Sequence, residues 1–230
     1  MVEMEPVDRC PICGGAGTFD IEGYELAIPI RMCSCSECGT AYHNPRMSKC
    51  SMTEYYNSGA YRAIHETHSE YEISRANRLM FLMDWFTRYD PPPARCLDVG
   101  CSRGHLARKL AERYGAESIG YDIYVDPQAV VDVVDSKELI TGKFDLITCV
   151  HVLEHFYDPL AELDWMIGLL NTGGALVLEI PMVKKVMLAH PIIFSKKAVA
   201  LMMQRAGLRH VLMDIPSRHI GIIFAQKGVA

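Results

Sequence analysis

The chain has no apolar run approaching the ~18–20 residues a membrane-spanning helix needs. Acidic residues in Met1-Val2-Glu3-Met4-Glu5 stand where an export signal would carry basic and then apolar ones. The expectation is a soluble, cytoplasmic protein. An excess of positive charge is also missing: 23 Lys and Arg face 28 Asp and Glu, a net charge of −5, so the global basicity of a polyanion binder is absent. Only 22% of the 230 residues are charged and half are hydrophobic, which excludes a mostly disordered chain. No internal repeat or low-complexity stretch is visible. The length suits one ordinary domain, or a small module joined to a compact one.

What is present is unevenly placed. Residues 1–60 carry 4 basic and 8 acidic side chains, residues 61–180 carry 11 and 19, and residues 181–230 carry 8 and 1. Of nine cysteines, six lie in the first 50 residues, at 10, 13, 33, 35, 38 and 50. An odd number, clustered and dilute overall, points to metal binding in a reducing compartment rather than to a disulfide scaffold.

Cys10-Pro11-Ile12-Cys13-Gly14-Gly15 and Cys35-Ser36-Glu37-Cys38-Gly39 are two Cys-x-x-Cys knuckles. The two-residue spacer lets a tight turn aim both thiolates at one ion. A pair of such turns completes a four-thiolate zinc site with Zn–S distances of about 2.3 Å, whose binding energy would fold a segment too short to fold alone. Cys33 is a competing ligand, but only Cys35 restores the spacer. Residues 1–50 therefore read as a zinc ribbon held by Cys10, Cys13, Cys35 and Cys38, with Thr18–Met32 as a hairpin turning near Gly23.

Residues 51–90 read as a helical linker or cap. Ser51-Met52-Thr53-Glu54 resembles a helix start, Tyr55, Tyr56 and Tyr61 form an aromatic group expected to pack a small satellite core, and Ile73, Ala76, Met80, Met83 and Phe86 recur at helical spacing between about His68 and Tyr89. Asp90-Pro91-Pro92-Pro93 ends that helix.

From residue 91 to 230, strand and helix alternate. Strands are expected at Arg95–Val99, Ser118–Asp122, Ala129–Val134, Phe144–Val150 and Ala175–Pro181, and helices at His105–Tyr114 and Pro159–Leu170. A helix at Ser195–Ala206 precedes two strands, Leu208–Ile215 and His219–Gln226. The pattern implies a mostly parallel sheet with helices on both faces, closed by an antiparallel hairpin.

The first of these strands runs into Asp98-Val99-Gly100-Cys101-Ser102-Arg103-Gly104, and a helix follows. A glycine-bearing strand-to-helix turn lets backbone approach a ligand and presents free helix N–H groups. Asp122, at the end of the second strand, is placed to accept from ribose hydroxyls, and Asp135 and Ser136 after the third to reach an adenine. The loop lacks the G-x-G-x-x-G spacing that seats a pyrophosphate, which argues against a nicotinamide dinucleotide.

On Leu97-Asp98-Val99-Gly100-Cys101, Gly120-Tyr121-Asp122, Phe144-Asp145-Leu146-Ile147, His151-Val152-Leu153-Glu154-His155 and Gly173-Gly174, the region from about 75 to 230 resembles the class I S-adenosylmethionine-dependent methyltransferases. The Cys-x-x-Cys pairs, with Asn44-Pro45-Arg46 and Tyr55-Tyr56 behind them, are similar to zinc-ribbon modules fused to some of these enzymes, sugar C-methyltransferases among them. The resemblance implies a Rossmann-like, seven-stranded, mostly parallel sheet with a C-terminal antiparallel hairpin. It also implies a donor site at Asp98, Gly100, Cys101, Ser102, Gly104, Asp122, Ile123, Asp135, Ser136 and Val150. Ser102 replaces the family's usual glycine, and serine suits the turn if its φ is negative.

A sulfonium methyl is already electrophilic, so the enzyme chiefly aligns donor and nucleophile and takes up a proton. His190, ahead of Phe194-Ser195, is the first candidate base. His155 is the second, and His151 shares its face if that segment is helical. The expected acceptor is a small molecule bearing phosphate or carboxylate, facing Lys184, Lys185 and Arg218 of the basic C-terminal segment. An RNA methyltransferase and a non-catalytic zinc- and donor-binding protein are the alternatives, and the acidic ribbon argues against RNA.

Overall fold

The computed structural model describes residues 2–25, 27–58, 61, 69–87, 91–183, 185–215 and 219–228, without the side chains of 85–87 and 214. Its main body is a seven-stranded sheet. In chain order the strands are β6 (Arg95–Val99), β7 (Glu117–Tyr121), β8 (Val133–Val134), β9 (Phe144–Val150), β10 (Leu170–Pro181), β12 (Leu208–Ile215) and β13 (Ile220–Lys227). The spatial order is β12-β13-β10-β9-β6-β7-β8. Contacts from β10 to β8 are parallel, and β13 pairs antiparallel with both neighbours. From β6 the chain steps outward to β7 and β8, then returns to β9 on the other side. The carboxyl ends of β6 and β9 thus flank the switch point where open α/β sheets bind ligands.

Alternation along each strand divides the core between two faces. Cys96, Leu146, Val177 and Ile222 pack under α2 (Ser69–Thr87) and α3 (His105–Tyr114), which contribute Leu79, Met83, Leu106 and Leu110. Leu97, Ile147, Leu178 and Ile223 face the opposite way, against Leu163 and Met166 of α4 (Pro159–Leu169) and Val199, Met202 and Met203 of α5 (Lys196–Arg205). Asp158 caps α4 by accepting from the Ala161 amide, with Pro159 in the first turn. Ser195 caps α5 in the same way through the Ala198 amide.

The N-terminal segment builds a four-stranded sheet of order β11-β4-β3-β2, from β2 (Gly17–Glu25), β3 (Ile28–Cys35), β4 (Ala41–His43) and β11 (Ile192–Ile193). Its fourth strand comes from the far end of the chain, and Cys10, Ile12, Cys35 and Tyr42 belong to the same buried cluster as Phe194 and Val199. A small ribbon of β1 (Met4–Glu5) and β5 (Arg46–Met47) leads into α1 (Lys49–Asn57). Among the described residues no helix is long and apolar enough to cross a membrane.

Several local expectations change. Helix α1 starts at Lys49, because Ser48 is its cap and accepts from the Ser51 amide. Gly23 is not at the hairpin turn: it pairs with Ile30 inside the ladder, where an added Cβ would lie 2.9 Å from Val186 Cγ1. The strand expected at Ala129–Val134 shrinks to Val133–Val134, since the preceding backbone is drawn into loop hydrogen bonds, Ala129 N–H to Asp126 O and Val130 N–H to Arg103 O. Ile73, expected in the apolar stripe of α2, is 37% exposed, and the Phe86 side chain lies outside the described residues.

Candidate active site and cysteine cluster

The turn after β6 is held by its own backbone. The Gly100 and Cys101 amides both donate to Tyr121 O, and Gly104 N–H donates to Cys101 O. Gly100 and Gly104 have φ of 70° and 81°; a Cβ on Gly100 would sit 2.2 Å from Val152 Cγ2, so glycine is required for close approach as well as for conformation. Ser102 does not have the negative φ expected of it: its φ is 57°. What retains it there is its polar contacts. Its amide donates to Asp122 Oδ2 at 2.9 Å and its hydroxyl to Glu72 Oε1 at 2.8 Å. Asp122 also accepts from the Tyr124 amide at 3.1 Å, so one carboxylate ties the ends of β6 and β7 together.

These elements open into a cleft of about 610 Å³, within the roughly 300–1,000 Å³ of small-molecule sites. Gly100, Ser102, Asp122, Ile123, Asp135 and Val150 line it, as do His151 and His155. Asp98 and Cys101 line a small recess behind the turn, shared with Glu72 and Arg75 of α2. Gly104 and Ser136 line neither: Gly104 caps α3, and the Ser136 hydroxyl donates to Glu138. Burial lifts the Asp98 carboxyl to about 7, although the Thr148 hydroxyl donates to it at 2.6 Å.

The histidines do not share a helix face. His151 has a φ of 54°, and a 3-10 turn begins only at Leu153. The ring of His151 lies between two buried carboxylates, with Nε2 2.9 Å from Glu179 Oε1 and Nδ1 3.5 Å from Glu154 Oε1. Burial works against its charge, but Glu154 and Glu179 outweigh it and raise the pKa to about 9. A ring so paired is a charged anchor at neutral pH, with both nitrogens engaged. Arg78 extends the alternation by gripping both Glu179 oxygens at 2.5–2.6 Å.

His155 reaches the cleft wall, and His190 stands beside it with ring centroids 4.6 Å apart. The Nδ1 of His155 is 2.7 Å from both Ala189 O and the Tyr56 hydroxyl. A carbonyl only accepts, so Nδ1 carries a proton and donates to Ala189 O.

Tyr56, Lys49, Met52, Thr53 and Asn57 of α1, together with Tyr61, make the far wall of the cleft. None was singled out as a site residue from sequence. The nearest signal was the tyrosine group, read as satellite packing; Tyr55 and Tyr56 do pack that way, yet Tyr56 is also a cleft residue. Of the cations expected at the rim, Lys184 and Arg218 lie outside the described residues, and Lys185 is exposed and does not line the cleft.

The four cysteine sulfurs of Cys10, Cys13, Cys35 and Cys38 lie within 4.8 Å of one another. The Cys10–Cys38 and Cys13–Cys35 separations are 3.6 and 3.4 Å, near the ~3.8 Å edge of a tetrahedral zinc–thiolate site. The two knuckles repeat one geometry. Gly14 N–H donates to Cys10 O and Gly39 N–H to Cys35 O, and both glycines have a φ close to 75°. Cys33 instead lies within β3, opposite Phe19 and Tyr42, and does not join the cluster.

Residues 68–212 match the methyltransferase domain family. The chain belongs to this family. Its sheet order and closing hairpin are those of the class I S-adenosylmethionine-dependent methyltransferase fold. Ubiquinone biosynthesis O-methyltransferase from Xanthomonas axonopodis pv. citri is 35% identical over 109 residues, 40% of this chain and 45% of that protein. The corresponding protein of Xanthomonas campestris pv. campestris (strain B100) is 37% identical over 104 residues, 38% of this chain and 43% of that protein. The chain thus spans less than half the length of these relatives. Among solved structures it is similar to Burkholderia thailandensis 1,6-didemethyltoxoflavin-N1-methyltransferase with bound 1,6-didemethyltoxoflavin and S-adenosylhomocysteine. There the TM-score is 0.65 at 15% identity, covering 91% of this chain and 100% of that one. Magnesium protoporphyrin IX methyltransferase from Synechocystis PCC 6803 gives a TM-score of 0.56 at 17% identity, covering 79% of this chain and 100% of that one. At these identities the likeness to solved structures is one of fold.

Proposed function

We propose that this protein transfers a methyl group from S-adenosylmethionine to a small-molecule acceptor. The observation that carries the reading is the joined turn at the switch point. Gly100–Gly104 and Asp122, tied through the Ser102 amide, form the floor of a cleft whose other wall is α1. Asp122 is placed to meet ribose hydroxyls, Asp135 stands on the adenine side, and Asp98 and Glu72 line the recess that would take the cationic methionine end of the donor. The acceptor then enters between α1 and the His151–His155 turn.

Proton uptake falls to the His155–His190 pair, with His155 the ring that reaches the cleft and His190 behind it. His151 serves as a charged anchor rather than a base, because its nitrogens are spent on Glu154 and Glu179. An anionic acceptor would meet Lys49 on the far wall; Lys137, also in the cleft, is already paired with Glu162. Zinc held by Cys10, Cys13, Cys35 and Cys38 would be structural, since four thiolates close its coordination. The test is calorimetric titration with the donor, followed by incubation of protein and donor with a metabolite pool and a search for methylated product. Absence of donor binding would overturn the reading.

A further inference from the structure

The α1 end of the cleft is walled by rings. Tyr56 and Tyr61 line it beside His155, and the three ring centroids lie 5.1–5.8 Å apart. Their planes cross at 55° to 88°, the tilted and edge-to-face geometry in which aromatic side chains attract one another. Met52, on the same helix as Tyr56, adds a polarisable thioether that also favours ring contacts. Little on this wall suits a polyhydroxylated acceptor. The Tyr56 hydroxyl meets His155 Nδ1 at 2.7 Å and donates to Ala189 O at 3.1 Å, and the Thr53 hydroxyl donates to Lys49 O at 2.9 Å. The donor hydrogens of both are spent inside the protein, whereas a polar ligand is oriented by convergent hydrogen-bonding groups. One unpaired charge stands on the wall. Lys49 makes no ion pair among the described residues, in contrast to Lys137, which is held by Glu162.

We propose that the acceptor is a flat aromatic or heteroaromatic molecule carrying an anionic substituent, of which an aryl carboxylate with a ring hydroxyl is the simplest member. Its ring packs against Tyr56 and Tyr61, which take another ring in offset or T-shaped contact. Its anionic group turns to Lys49. Acidity points the same way. The accepting oxygen must give up a proton, and the carboxylates and imidazoles of the cleft are weak bases. A phenol ionises at a pKa of about 10 and a sugar alcohol close to water's roughly 15.7, so the aryl hydroxyl is easier to ionise by about five powers of ten. The ring oxygen loses its proton to a base of the cleft and thence to water. Its lone pair takes the methyl group, and the electron pair of the broken S–C bond stays on sulfur. This substrate class rests on the methyl-transfer reading for its chemistry, and on the side chains of the cleft for its ring and its charge.

The test is calorimetry on the full chain with its cysteine-bound metal in place, saturated with S-adenosylhomocysteine. The probes are 3,4-dihydroxybenzoate, its uncharged analogue catechol, the saturated anion cyclohexanecarboxylate, and glucose 6-phosphate. 3,4-Dihydroxybenzoate should bind saturably, about tenfold or more tighter than cyclohexanecarboxylate or glucose 6-phosphate. Tyr61→Leu should weaken it about two- to tenfold while Tyr61→Phe retains it, a contrast that a merely unfolded variant would not give. Lys49→Gln, at an exposed position, should cut its advantage over catechol by about two- to fivefold. Glucose 6-phosphate or cyclohexanecarboxylate binding as tightly as the benzoate overturns the proposal, as does an unaltered affinity in Tyr61→Leu. So does the failure of both aromatic probes to bind a protein that holds S-adenosylhomocysteine. If S-adenosylhomocysteine itself does not bind, the methyl-transfer reading falls; benzoate binding with the same Tyr61 and Lys49 dependence would then sustain the aromatic site alone, and its absence would remove both.

Discussion

Ile192 pairs with Tyr42 across 150 residues of chain, as the edge strand of the cysteine-bearing sheet. Its neighbours reinforce the join: His43 N–H donates to Pro191 O, and the Ser195 hydroxyl donates to Cys38 O. His190 stands two residues before the first residue of this strand, so the cysteine cluster and the His155–His190 pair share a structural support. Replacing Cys35 with Ser should release metal and cost about 4 kcal/mol or more, the range for a lost structural metal, or roughly 8–16 °C of melting temperature. Hydrogen exchange should accelerate at Ile192–Ile193 as well as at the knuckles. Cys33→Ser should keep its metal. Metal analysis together with exchange mass spectrometry checks both outcomes, and unchanged protection at Ile192 would show the two regions to be uncoupled.

Asp122→Ala removes a charge-assisted acceptor from the proposed donor site, a loss of about 1.5–3 kcal/mol. Donor affinity should drop about ten- to a hundredfold. The same change frees the Ser102 amide, so Asp122→Asn, which keeps one acceptor oxygen, should lose less. Calorimetry on the two variants reads the difference; an unaltered dissociation constant in Asp122→Ala would remove Asp122 from the site.

Asp98 supplies a pH dependence. Its folded pKa, about 7, lies above its unfolded value, so the stabilising neutral form is complete below the unfolded pKa and is lost as pH rises through 7. Without donor, stability should therefore decline between about pH 4 and 7 and then level. A cationic donor prefers the carboxylate, so its affinity should rise over the same interval, by up to about tenfold per pH unit below 7, and then level. Asp98→Asn should flatten the rise. A pH-independent affinity in the wild type would place the cationic end of the donor elsewhere.

Ser102→Gly sets two effects against each other. Glycine relieves a left-handed backbone worth about 1–2 kcal/mol, but deletes the hydroxyl bond to the buried Glu72 carboxylate, worth about 1.5–3 kcal/mol. The second should win slightly, lowering stability by up to about 1 kcal/mol in denaturant titration. A stabilised variant would mean that the Glu72 contact contributes little.

The large sheet was legible because alternation and turn chemistry are local. Phe144–Val150 is a strand over the bounds its apolar run implies, and Pro159 and Ser195 mark helix starts through nearby capping contacts. The two knuckles were legible for the same reason: a two-residue spacer followed by glycine is a short-range geometric unit. The left-handed φ of Ser102 was not, because the carboxylates that hold it there, Glu72 and Asp122, belong to other elements.

Sequence by itself determined the large sheet and the glycine-bearing turn after β6, since both rest on residues within a few positions of one another. Only the tertiary structure decided which histidine meets which partner. Tyr56 reaches His155 across 99 residues, and Arg78 reaches Glu179 across 101. The physical reason is that a buried carboxylate or ring takes its state from whatever charge the fold packs against it. The role of His151 was thus fixed by Glu179, on the neighbouring strand.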